Sequence, residues 1–255
     1  MIDQVKDEQQ GIIIVLGTAG KGGCSKSSTC VNLAGAFAAK GKNVAIVDTD
    51  VGSSVMNTRG SRSTTEWIED RRYLIEEEGH DYPAISGYML SPDSKIHGEL
   101  RRLTKVHDVV IVDTAGSATM ALKSAVAVCD MVYVPFNCTR VEMRALFAMF
   151  EMHADLEQSL QMANPNAYID MRLLPTRIMH NWKIDRGDYR EWYESGINKQ
   201  ASISSVAIPT SVRIAEGLGA GWSLHDKKDQ KRAVFDLLVD EIEGRRQVRE
   251  QRIFE

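Results

Sequence analysis

The chain has 255 residues, 43% hydrophobic and 26% charged, with a net charge of −4. That balance suits an ordinary globular domain with an ample core and excludes a polycation, so any hold on DNA or anionic lipid needs a local basic patch. The four cysteines (Cys24, Cys30, Cys129, Cys138) show no C-x-x-C pair or zinc spacing, and no apolar run nears the ~20 residues of a bilayer span.

Scattered cysteines read as reduced thiols, and the polar, acidic start "MIDQVKDEQQ" carries no signal-peptide pattern, so a cytoplasmic protein is expected. Short apolar runs then alternate with longer amphipathic stretches. The runs at 12–17, 43–48, 108–113, 131–136 and 169–175 read as strands buried on both faces, because they are apolar nearly throughout. A weaker strand is expected at 202–209. Helices are expected at 26–40, after Ser63 and after Thr139, the last two from capping-box spacing to Glu66 and Glu142. Another is expected in 91–103, with Pro92 in its first turn, and the last from about Asp229 towards Arg249. The alternation predicts a three-layer α/β fold with a mostly parallel, doubly wound sheet flanked by helices. One domain is expected over 1–255, with its core at 11–243 and a basic tail at 244–255.

The stretch "LGTAGKGGCSKSSTC" joins the first strand to the first helix. It nearly matches the phosphate-loop pattern G-x-x-x-x-G-K-[ST], with Gly20, Lys26 and Ser27 in register and Ser25 where the second glycine belongs. In that context backbone N–H groups of Gly20 to Ser28 (Lys21, Gly22, Gly23, Cys24 and Ser25 among them) and a helix N-terminus point at an anion. Lys26 would meet the β- and γ-phosphates, Ser27 would bind Mg²⁺ and Ser28 would reach an α-phosphate. Glycine serves where φ is positive or a phosphate comes close, so serine at 25 would cost on the order of 1–2 kcal/mol if φ is positive. Otherwise the loop takes an angle serine tolerates, and the hydroxyl is free to donate to a phosphate. Asp48 and Asp50, in "VAIVDTDVGSS", end the second strand where open α/β sheets bind ligands; one suits a magnesium-bound water and the other the attacking water. Asp113, ending "HDVVIVDTAG", has the form of a Walker B carboxylate that assists Mg²⁺.

These motifs, in this order, resemble the ParA/MinD superfamily of deviant Walker A ATPases over roughly residues 11 to 243. The lysine early in K-G-G-x-x-K-[ST], here Lys21, is specific to that superfamily. The resemblance implies ATP and Mg²⁺ as cofactors and a homodimer that sandwiches two ATP molecules. It also implies that Lys21 reaches the partner's nucleotide, while Thr176, Arg177 and the loop around Pro209 lie where the family closes the base pocket. Lys21, Lys26, Asp48 and Asp50 are then the catalytic candidates, and Ser27, Asp48 and Asp113 the metal candidates. Val51 departs from the proline common in the D-x-D-P-Q loop of partition ATPases.

Within the superfamily the chain looks most like small ParF-like plasmid partition ATPases. The stripe Ala233, Val234, Leu237, Leu238 and Ile242 of the last helix reads as a docked face, and the arginine-rich end lacks the large apolar residues of an interfacial anchor. No stable membrane association is therefore expected. The resemblance implies non-specific DNA binding by the ATP dimer, nucleoid association, and a small DNA-binding adaptor as partner. Candidate phosphate contacts are Arg213, Lys227, Lys228, Lys231 and Arg232, with Arg245, Arg246, Arg249 and Arg252 behind them. Two alternatives stay open: a MinD-like membrane cycle, and a nucleotide-gated adaptor with little turnover, the latter motivated by Ser25.

Overall fold

The computed structural model describes residues 11–18, 23–50, 63–137, 140–178 and 201–245, with the backbone alone at 140–145. The expectations for Gly20, Lys21, Gly22, Val51, the Thr139 cap, Arg246, Arg249 and Arg252 fall outside these residues. Among the described residues seven parallel strands form one sheet: β1 (Ile12–Leu16), β2 (Val44–Asp48), β3 (Ser86–Met89), β4 (Val109–Asp113), β5 (Met131–Phe136), β6 (Met171–Pro175) and β7 (Ser202–Ile203). Their spatial order is β3-β2-β4-β1-β5-β6-β7. Around it lie α1 (Lys26–Ala39), α2 (Thr64–Glu76), α3 (His97–Leu103), α4 (Met120–Val126), α5 (Arg140–Gln161), α6 (Val212–Leu218) and α7 (Ala233–Ile242). A parallel pair needs a crossover connection, and helices supply it on both faces, so β2, β4 and β5 are buried at every position.

The core divides into two halves across the sheet. Cys30, Leu33, Phe37, Trp67, Phe235 and Leu238 pack one face, bringing together α1, α2 and α7. Leu100, Leu122, Leu146, Met149 and Phe150 pack the other, from α3, α4 and α5. β3 is the strand with no counterpart among the sequence expectations. It sits at a sheet edge, half-exposed, and its "SGYM" has no apolar run. Gly87 is needed there, since a Cβ would lie 2.7 Å from Cγ2 of Ile68 on α2.

The Ser63–Glu66 capping box forms as expected, with both reciprocal hydrogen bonds in place. The helix expected from Pro92 begins five residues later, at His97. Ser91 instead accepts from the Asp93 N–H and forms a turn that competes with helix. The last helix is shorter at its start as well: Asp229 caps a 3₁₀ turn at Gln230–Arg232, and α7 follows. Its buried stripe is Phe235, Leu238, Val239 and Ile242, while Leu237 faces solvent. The docked face is real, but rotated from the expected stripe. No helix among the described residues is long and apolar enough to cross a membrane.

Candidate functional site

Parallel register levels the ends of the three central strands. Leu16 of β1 pairs with Asp113 of β4, and Asp113 pairs with Asp48 of β2. The row continues one residue further, through Thr114 N–H to Leu16 O at 3.3 Å and Thr49 N–H to Asp113 O at 2.9 Å. The strand order reverses beside β1, so these carboxyl ends open the crevice in which α/β sheets bind ligands.

α1 starts directly over this row. Ser25 precedes it with φ 69° and ψ 26°, the left-handed conformation. The serine therefore keeps the backbone shape for which glycine is used, and the choice between the two loop geometries is settled in favour of positive φ. Its side chain makes no capping bond, and its carbonyl accepts from Thr29 N–H at 2.9 Å. Lys26 follows, buried, and close enough to Asp113 for its charge to stabilise that carboxylate. Cys24 and Cys30 flank the turn as buried free thiols.

Asp113 is strongly perturbed. Burial raises its pKa to about 7, the Asp48 charge adds to the rise, and the Ser27 hydroxyl, donating to it, opposes. Its Oδ1 is buried with no hydrogen-bond partner. A buried carboxylate oxygen left open beside a serine hydroxyl and a lysine fits a hydrated divalent cation. Among the described residues no three His, Cys, Asp or Glu side chains gather into a cage. Mg²⁺ needs no such cage, since it is held by one or two protein oxygens together with substrate phosphates and water.

Asp48, expected to serve magnesium or the attacking water, has both carboxylate oxygens hydrogen-bonded. Its Oδ2 accepts from Thr65 N–H at 3.0 Å and Thr65 Oγ1 at 2.8 Å, and its Oδ1 from Asp50 N–H at 2.9 Å. The carboxylate thus anchors the N-terminus of α2, where negative charge is favoured. Asp50 is half-buried, and its charge also raises the Asp113 pKa, as the least of the causes. Sequence reasoning missed Thr65, although the capping box places it in the first turn of α2.

The far wall gathers Thr176, Arg177 and Pro209. Ile178 bridges to Pro209, and Thr210 N–H donates to Ile178 O at 2.9 Å. The buried Thr176 hydroxyl lies 3.2 Å from Cys24 O, Phe136 O and Asn137 Oδ1, tying the ends of β5 and β6 to the loop. Arg177 has φ 55°, and its Nε donates to Ser25 Oγ at 3.0 Å. Ser27 and Ser28 are half-buried on the first turn of α1; Ser28 O accepts from Asn32 Nδ2, whose Oδ1 in turn holds Leu224 N–H.

The basic candidates sit on α6, in the segment that leads to α7, and just past α7. Arg213 is paired with Glu216 and Asp229 and lies 4.8 Å over the Trp222 ring. Lys227 donates to Tyr82 OH at 2.7 Å and also lies over Trp222. Lys228 and Lys231 are exposed, Arg232 is half-buried, and Arg245 is paired with Asp240 and Glu243.

The fold is the α/β fold of P-loop NTPases. The family model "ATPase MipZ" matches residues 12–168. The chain belongs to the MipZ ATPase family, within the ParA/MinD superfamily. An uncharacterized protein of Pseudomonas putida is 24% identical over 259 residues, covering 91% of this chain and 94% of that one. The McdA–ATP complex of Cyanothece superposes with a TM-score of 0.62 at 16% identity, over 94% of this chain and 99% of that one. A putative plasmid partition protein of Borrelia burgdorferi bound to AMPPNP gives 0.59 at 15%, over 93% and 100%.

Proposed function

We propose that this chain binds Mg–ATP at the β1–α1 turn, dimerises on it, hydrolyses it slowly, and positions or partitions DNA-borne cargo. The observation that carries the reading is the open, buried Asp113 Oδ1 beside Ser27 and Lys26. Lys26 neutralises phosphate charge, the Ser27 hydroxyl and the Asp113 carboxylate hold the cation's shell, and Ser28 bonds the α-phosphate. Mg²⁺, when bound, neutralises charge on the β- and γ-phosphate oxygens. Asp48 keeps α2 against the phosphate end, and Asp50 is the carboxylate that positions the attacking water. Ser25 supports nucleotide binding, because its backbone angle preserves the glycine shape of the loop.

Lys21 is the trans-acting cation that makes the dimer depend on ATP. The exposed lysines of the α6–α7 segment contact DNA phosphates without sequence preference, and a small DNA-binding adaptor is the partner. The docked stripe of α7 supports DNA rather than a membrane as the surface on which the dimer cycles. The test is light-scattering mass with and without Mg–ATP, followed by co-sedimentation with DNA. Wild type should double its mass and bind DNA only with ATP, and Lys21→Ala should bind ATP as a monomer. A Lys21→Ala protein that dimerises like wild type would remove the trans role.

A further inference from the structure

Ser25 and Arg177 are non-glycine residues with positive φ, at 69° and 55°, and they touch. Left-handed backbone costs an ordinary residue on the order of 1–2 kcal/mol, so two such residues in contact are held by what they join. What they join is the turn before α1 and the end of β6. Thr176 fastens the same two segments one residue earlier, through its hydroxyl beside Cys24 O. The Ser25 hydroxyl accepts from Arg177 Nε and keeps its own proton to donate. Among the described residues, the Nη nitrogens of Arg177 have no partner. A glycine at 25 would present no acceptor, so the substitution that breaks the loop pattern is the one that brings a guanidinium to the loop.

We propose that Arg177 is a further cation of the phosphate site, held over the loop by Ser25, and that it recognises the polyphosphate of the nucleotide rather than its base. The inference rests on the nucleotide-binding reading above. Guanidinium forks match phosphate oxygens in pairs, and Arg177 is bonded to the residue that opens α1, whose N-terminal N–H groups favour an anion.

The probe that separates phosphate from base recognition is inorganic tripolyphosphate, titrated calorimetrically with Mg²⁺ beside ATP on the full chain. Arg177→Ala should weaken both ligands in parallel, by about tenfold or more, the order of a charge-assisted hydrogen bond. Arg177→Lys should restore part of the loss for both. In a Ser25→Gly background the Arg177→Ala loss should shrink to under about threefold, because the guanidinium is no longer held. Loss of ATP affinity with tripolyphosphate unchanged would make Arg177 a base contact and overturn the proposal. So would equal losses in both backgrounds, or none. If wild type binds neither ligand, the nucleotide reading itself falls; if it binds both and only Lys26→Ala abolishes binding, Arg177 alone is refuted.

Discussion

Asp113 stores a charge that the folded chain accepts only at a cost. Its pKa stands at about 7 against an ordinary 3.8, chiefly through burial. The folded state therefore holds a proton that the unfolded chain releases, and this contribution to stability is complete below pH 4 and lost as pH rises through 7. Asp113→Asn should consequently gain on wild type by on the order of 2–4 kcal/mol between pH 4 and 8, in urea unfolding without nucleotide. A constant difference across that range would show that the carboxylate is solvated. Ser25 makes the opposite kind of test. Releasing its left-handed backbone with Ser25→Gly should raise stability by about 0.5–1 kcal/mol, the strain relieved less the entropy glycine returns to the unfolded chain. A β-branched Ser25→Val should lower it; thermal unfolding of both reads the sign.

Packing between elements depends on a buried ion pair far apart in sequence. Arg71 on α2 meets Asp226 at 2.7 and 3.0 Å, also donates to Pro83 O, and lies over the Trp67 and Tyr82 rings. Both side chains of the pair are 2% exposed. Gly35 admits the same loop against α1, since a Cβ there would lie 2.2 Å from Ser223 Oγ. Arg71→Ala should cost about 3–5 kcal/mol by stranding the aspartate, whereas replacing both partners with apolar residues should cost far less. Burial pushes the Asp226 carboxyl up, but the Arg71 bonds and charge and the Ser223 bonds outweigh it and hold it low. Its stabilisation is thus complete above the ordinary carboxylate range and fades as pH falls below it. The doubly buried strands and the capping box of α2 were legible because burial and caps write themselves into local pattern. The Arg71–Asp226 pair was not, because nothing in either segment's periodicity names the other. β3 was hidden for a different reason: an edge strand needs only one covered face.

The whole molecule is a parallel sheet whose strand ends meet one helix start, and that geometry gathers residues scattered from Ser25 to Pro209. The meeting of Lys26, Ser27, Asp48 and Asp113 could be read from sequence, since parallel strands level their carboxyl ends and α1 starts over them. The roles of Thr65 and Arg177 emerge only in three dimensions. Thr65 takes the carboxylate of Asp48, and Arg177 answers an irregular serine rather than a pattern. The central claim is that this turn holds Mg–ATP through Lys26. Equilibrium titration of Mg–ATP into wild type and Lys26→Ala at one ionic strength tests it most directly. The account predicts saturable binding to wild type and a loss of a hundredfold or more, of the order of ~3 kcal/mol, in the variant. Equal affinity in the two proteins would contradict it.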